Sequence, residues 1–164
     1  MLILVEGGDG SGKSTLVETL RKFNFKIAKP AALQNKHQFE YYERLALQSI
    51  YAEQNVVLDR SFLSELVYRI YDKKKPRLGL GEIFSLLKYC KIILCETGTQ
   101  FQDAMARGED NITKEEDSRQ IKFLYRQYIA LIEQFENVPV LRYNWQKNKM
   151  IEVISFINQT NTRR

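Results

Sequence analysis

Gly7-Gly8-Asp9-Gly10-Ser11-Gly12-Lys13-Ser14 meets every fixed position of the pattern G-x-x-x-x-G-K-[ST], and Thr15 extends it. These residue types suit the handling of phosphate groups. Glycines at 7, 8, 10 and 12 let the backbone take positive φ and turn its amides inward. That makes a nest for phosphate oxygens at the positive end of the helix that follows. Lys13 would bridge the β and γ phosphates of ATP, and the Ser14 hydroxyl would meet Mg²⁺, which neutralises charge as a phosphoryl group leaves. A glycine-rich turn that merely packs is the bland alternative. Lys13 argues against it, because a cation opening a helix opposes the helix dipole unless an anion sits there.

Asp59-Arg60 forms a second cluster. A carboxylate next to a phosphate loop can hold the waters of a magnesium ion, so Asp59 joins Ser14 as a candidate metal ligand. Arg60 can clamp an acceptor phosphate bidentately. Read alone, the pair also fits a helix N-cap followed by a surface arginine.

Elements of regular structure must hold these residues, and the chain alternates strand and helix signals throughout. The apolar run at residues 2 to 6 reads as a strand, and Leu16, Val17, Leu20 and Phe23 follow the glycines at helical spacing. Residues 25 to 29 read as a second strand, stopped by Pro30. Helix is predicted over 36 to 52, strand over 55 to 58, and helix again where Phe62, Leu63, Leu66, Val67 and Ile70 share a face. A turn-rich stretch, a short helix over 82 to 89 and a fourth strand over 91 to 95 come next. Behind the capping box Thr113-Lys114-Glu115-Glu116, residues 121 to 135 keep helical spacing. A fifth strand is predicted over 138 to 143, a closing helix from Trp145 to about 159, and a frayed tail. Parallel neighbours need crossovers, so the expected fold is α/β: a five-stranded parallel sheet between two helical layers, the three-layer P-loop NTPase arrangement. No repeat or low-complexity linker interrupts residues 1–164, which are read as one domain.

Apolar residues make up 44% of the chain and charged residues 27%, the composition of a soluble globular protein. Net charge is +5, but the basic residues are scattered apart from Lys73-Lys74-Lys75, which reads as a solvated turn. A pocket for a polyanion explains that surplus as well as nucleic acid does. The longest apolar runs are strand-sized and no leader precedes the first, so the expectation is a cytoplasmic protein with neither membrane nor nucleic acid as a partner. Cys90 and Cys95 match neither a zinc knuckle nor a redox pair and read as buried, reduced thiols.

The string from Glu6 to Thr15 closely resembles the phosphate loop of thymidylate kinases and their relatives, down to the leading Glu and the Asp-Gly pair. Asp59, Arg60, Ser64 and Tyr68 stand at the intervals of that family's second motif. The resemblance implies a nucleoside monophosphate kinase that uses Mg-ATP, plausibly as a homodimer. It also implies an arginine-bearing lid after the fourth strand, here residues 97–113 with Arg107 as the candidate and Arg119 behind it. Gly10 stands where some thymidylate kinases carry arginine, so the lid would supply that charge. Asp9 would accept a hydrogen bond from the sugar 3′-hydroxyl, or simply shape the turn. Lys29-Pro30-Ala31-Ala32 replaces the family's Arg-Glu-Pro-Gly-Gly-Thr, Ser61 its tyrosine and Arg69 its glutamine, so thymine is not implied as the base.

Asp59-Arg60-Ser61 also resembles deoxynucleoside kinases, which phosphorylate a sugar hydroxyl. A hydroxyl profits from a carboxylate base, which those enzymes place just past the second strand. Here no acid occurs from Phe25 to Phe39, and Glu40 lies inside a predicted helix, so a nucleotide acceptor is preferred. Phe39, Tyr42, Phe62 and Tyr68 either stack on a base or belong to the core. His37 belongs to no motif and takes no role. A non-catalytic nucleotide binder would be expected to lose Lys13 or Asp59, and a nucleic-acid motor would need further domains and an acidic pair where Asp59-Arg60 stands.

Overall fold

The computed structural model describes residues 1–30, 37–96, 102 and 115–159. Strands β1 (Leu2–Glu6), β2 (Lys26–Ala28), β3 (Val56–Asp59), β4 (Cys90–Cys95) and β5 (Val140–Tyr143) pair in the order β2-β3-β1-β4-β5. Every pairing is parallel. Helices α1 (Lys13–Lys22), α2 (Gln38–Tyr51), α3 (Phe62–Tyr71), α4 (Leu80–Leu87), α5 (Glu115–Glu136) and α6 (Met150–Asn158) connect or follow them. All residues of β1 and β4 are buried, as the apolar runs Leu2 to Val5 and Ile92 to Cys95 require of strands covered on both faces.

Side chains alternate across a strand, and that alternation divides the core in two. Ile3 and Val5 pack with Leu16, Val17 and Leu20 of α1 and with Val153 and Ile157 of α6. Leu2 and Leu4 pack on the other face with Tyr42 of α2, Leu66 of α3, Leu86 of α4 and Tyr125 of α5. The three layers expected from the sequence are therefore present. Registers Val5↔Asp59, Glu6↔Leu94 and Cys95↔Tyr143 bring the carboxyl ends of β3, β1, β4 and β5 to one edge of the sheet. Open α/β sheets hold their ligands along that edge.

Lys91 occupies a buried position in β4. Its Nζ donates to the carbonyls of Phe156 at 2.9 Å, Ile157 at 3.0 Å and Gln159, so a buried cation closes the negative end of α6. Both cysteines are buried and neither forms a disulfide. Burial pushes the Cys95 thiol up to about 12. Among the described residues no helix is long and apolar enough to cross a membrane.

Element limits shift where side chains compete with the backbone. The closing helix begins at Met150 instead of Trp145. Asn144 N–H donates to Asn148 Oδ1 at 2.7 Å and Gln146 N–H to Asn144 Oδ1 at 2.9 Å, and these bonds fold residues 144–148 into a turn. α4 starts at Leu80, two residues before the expected start, because the Glu82 carboxylate reaches back to the Gly79 N–H at 2.6 Å. Thr113 of the expected capping box, and the tail, lie outside the described residues.

Candidate active site

The loop between β1 and α1 takes the conformation its glycines allow. Gly7, Gly10 and Gly12 have φ of 140°, 78° and 87°. A Cβ on Gly7 would fall 2.4 Å from the Cys95 carbonyl oxygen, so the end of β4 packs directly on the loop. Lys13 is buried, and its Nζ donates to the Gly8 carbonyl at 2.6 Å and lies 3.5 Å from Ser11 Oγ. Burial, then the charge of Arg60, lower the Lys13 ammonium to about 8, against the opposing pull of Asp9, Cys95 and Asp59. Ser14 and Thr15 are exposed on the first turn of α1.

Asp59 ends β3, and the next residue, Arg60, enters the left-handed region at φ 65°. For a bulky residue that costs about 1–3 kcal/mol and persists only where the surroundings impose it. Arg60 N–H still donates to the Val5 carbonyl at 3.2 Å. Its guanidinium pairs with Asp9 and lies 5.3 Å from the centre of the Tyr68 ring. Burial pulls its pKa down, but Tyr68, Tyr125 and Asp9 outweigh burial, so its charge is permanent.

Beneath this pair the Glu6 carboxylate is fully buried, accepting from Ser61 Oγ at 2.5 Å and from Ser64 Oγ. Tyr125 Oη of α5 donates in turn to Ser64 Oγ at 2.8 Å. Ser61 also caps α3, accepting from Leu63 N–H at 3.1 Å. Burial raises the Glu6 pKa, and the two serine bonds and the charges of Arg60 and Lys13 oppose that rise. The network ties the root of the phosphate loop to α3 and α5.

A cavity of about 580 Å³ opens beside Arg60. Asp9, Ser61, Ser64, Glu65 and Tyr68 line it from the loop and α3, Gln38 and Tyr42 from α2, and Ile121 from α5. Asp9 Oδ2 and Tyr68 Oη are buried at the cavity wall, where Tyr68, Arg60 and Asp9 form one interacting set. Burial drives the Tyr68 hydroxyl to about 12, with Arg60 opposing. Glu65 pairs with Arg69 at 3.2 Å, and burial raises its carboxyl pKa as well.

Of the residues singled out by sequence, the loop from Gly7 to Lys13, Asp59 and Arg60 come together. Ser14 and Thr15 flank them on the surface of α1. Arg107 lies outside the described residues, as does the expected lid apart from residue 102. Arg119 is held on the surface of α5 by Glu115 at 2.8 Å. The aromatic set divides: Phe62 is core, packed edge-on against Tyr42 at 5.2 Å, and Phe39 packs on that core, whereas Tyr42 and Tyr68 line the cavity. Sequence reasoning missed the Asp9–Arg60 pair, the Glu6 network and Gln38. The one available signal was the spacing of Ser61 and Ser64, three apart on a helix and so on one face.

No family model matches the chain, and no curated protein matches its sequence. Solved structures do match. The YorR protein of Bacillus subtilis, in complex with phosphorylated GDP, is 21% identical at a TM-score of 0.68, over 96% of this chain and 93% of that one. Deoxyadenosine kinase from M. mycoides with bound dCTP is 19% identical at a TM-score of 0.59, over 96% of this chain and 97% of that one. The chain has the P-loop NTPase fold. At such identities the likeness concerns the fold, and the chemistry follows from the residues described above.

Proposed function

We propose that the protein transfers the γ-phosphoryl group of Mg-ATP to a nucleoside monophosphate held in the cavity beside Arg60. The Asp9–Arg60 pair carries this reading. Asp9 belongs to the phosphate loop, Arg60 follows β3, and both line the cavity, so the phosphate cradle and the cavity share a wall. A site that only held a triphosphate would have no use for a second, charged chamber at the transferring end.

The loop amides and Lys13 hold the β and γ phosphates and meet the negative charge that spreads over the γ oxygens. Arg60, charged at every accessible pH, clamps the acceptor phosphate, which is already anionic and needs no base. Asp9 Oδ2 and Tyr68 Oη are placed to bond sugar hydroxyls, and the Gln38 amide and Tyr42 face the base. The oxygen donors of Ser14 and Asp59 suit Mg²⁺, and the described residues contain no cluster of three His, Cys, Asp or Glu side chains that would hold an ion by protein alone. Magnesium so held would supply charge neutralisation on the phosphates.

One observation favours a second reading, a nucleoside acceptor. The charged residues lining the cavity are Asp9, Glu65 and Asp72 against Arg60, an acidic balance that suits a hydroxyl acceptor needing a base. The likeness to a deoxyadenosine kinase supports it too. The test is a phosphoryl-transfer assay with Mg-ATP against the common monophosphates and the matching nucleosides. Diphosphate product supports the first reading, product from nucleosides alone supports the second, and none from either set refutes both. Arg60→Ala should raise KM for the acceptor by roughly three- to tenfold while leaving that for ATP nearly unchanged, because the acceptor phosphate replaces a contact that Arg60 already makes with Asp9.

A further inference from the structure

We propose that Trp145 is the platform on which the base of the phosphoryl donor stacks. The inference rests on the reading of residues 7–14 as the cradle of a nucleoside triphosphate and adds the subsite for the donor's other end. Phosphoryl transfer is roughly in line, so the acceptor faces the γ-phosphate and the donor nucleoside lies at the opposite end of the phosphate chain. The acceptor cavity is on the β3 side of the loop, among residues of α2 and α3. In the sheet, the far side of β1 is occupied by β4 and then β5. The segment leaving β5 carries Trp145.

Contact with the cradle is direct. A Cβ built on Gly12 would come within 2.8 Å of Trp145 Cδ1 and 3.6 Å of its Cγ and Nε1. The indole therefore lies against the last glycine of the cradle, at the N-cap of α1, yet it remains 48% exposed. An aromatic ring left half in water has apolar area still to bury, and a flat heteroaromatic partner covers it well.

The support beneath the ring is preformed. Besides the two bonds that shape the turn, Lys147 N–H and Asn148 N–H both donate to the Asn144 carbonyl, at 2.9 and 2.8 Å. Asn148 Nδ2 donates to Glu152 Oε2 at 2.8 Å, fastening the turn to α6. A ring presented by a fixed turn loses little freedom on stacking. Stacking tolerates every base, so Trp145 distinguishes a nucleotide donor from bare polyphosphate and leaves the choice among bases open.

Trp145 is the chain's one tryptophan, so its emission reports the site directly. The full chain is titrated with Mg-ATP and with magnesium tripolyphosphate, which has no base, by fluorescence and calorimetry; calorimetry is repeated on Trp145→Ala and Trp145→Phe. ATP should quench the emission and tripolyphosphate should not. Trp145→Ala should weaken ATP by about five- to a hundredfold, the usual range for base stacking. Trp145→Phe should recover most of that loss, and neither variant should change the affinity for tripolyphosphate. Equal losses for both ligands would show that Trp145 acts only through the shape of Gly12 and would overturn the proposal. So would tripolyphosphate binding as tightly as ATP in the wild type, or ATP binding untouched by Trp145→Ala. Failure of both ligands to bind the wild type would overturn the phosphate-loop reading along with it.

Discussion

Nucleotide binding should be coupled to uptake of a proton at Lys13. Without phosphate the Lys13 ammonium is buried and lowered to about 8 from its ordinary 10.5. A bound polyphosphate replaces that uncompensated desolvation with several negative charges and should return the pKa to 10.5 or above. The uptake is then about 0.1 proton at pH 7, 0.5 at pH 8 and 0.9 at pH 9, and affinity for ATP falls about 15-fold between pH 8 and 9.5. Stability moves the other way. Because the folded pKa is lowered, the unfolded chain binds more protons between pH 8 and 10.5, so the nucleotide-free protein gains up to about 3 kcal/mol across that window. Calorimetric titration at pH 8 in two buffers of different ionisation enthalpy counts the protons, and urea unfolding from pH 7.5 to 10 follows the stability. Lys13→Met provides the baseline for both, since other lysines and tyrosines titrate in the same range. Proton uptake at pH 8 no larger than in Lys13→Met would refute the argument.

Ser64→Ala should destabilise by about 2–4 kcal/mol, because Glu6 loses a donor and the Tyr125 hydroxyl is stranded. In thermal unfolding that is a fall of roughly 5–15 °C, and a change under about 2 °C would contradict the network. For Glu6 the raised pKa means that its favourable contribution is present below its ordinary value of 4.5 and is lost as pH rises through the folded value. Glu6→Gln should therefore flatten the decline of stability on going from acid to neutral pH, which unfolding curves at a series of pH values will show. Gly7→Ala places a methyl group 2.4 Å from the Cys95 backbone carbonyl at φ 140°, where the end of β4 cannot yield. Nucleotide affinity measured by calorimetry should be lost, and a normal Kd would mean that the loop can relax.

The phosphate loop was legible because its chemistry is local: glycines where φ turns positive, and a lysine where a helix begins. The sheet was legible because Leu2 to Val5 and Ile92 to Cys95 are apolar runs of strand length. What joins the site together is not local. Arg60 meets Asp9 across 51 residues of sequence, and Ser61 meets Glu6 across 55. No periodicity indicates which of several acids an arginine will face. Gln38 reads as a polar residue on the first turn of a surface helix, whereas in the fold it is buried in the cavity wall. Phe62 and Tyr68 share one helix, yet Phe62 packs in the core against Tyr42 while Tyr68 lines the cavity between Arg60 and Tyr125. Trp145 was misread because the apolar spacing of α6 runs backward smoothly into it. Asn144 and Asn148 were the turn signal that should have stopped that extension.

Both cations that the proposed transfer needs are engaged with partners of their own. Lys13 bonds the Gly8 carbonyl, and Arg60 bonds Asp9, a residue of the same loop. Phosphate binding therefore exchanges contacts, and the affinity gained is the difference between a phosphate oxygen and the internal acceptor it displaces. For Lys13 that difference is large, since a neutral carbonyl yields to a highly charged group. For Arg60 it is small, since one carboxylate oxygen yields to one phosphate oxygen while Asp9 is freed to meet a sugar hydroxyl. The donor is thus held by a strong net gain and the acceptor by a weak one. A kinase that must release its acceptor product at each turnover is served by that ordering, and the bond from Ser61 to the buried Glu6 holds the residue next to Arg60 at the root of the loop.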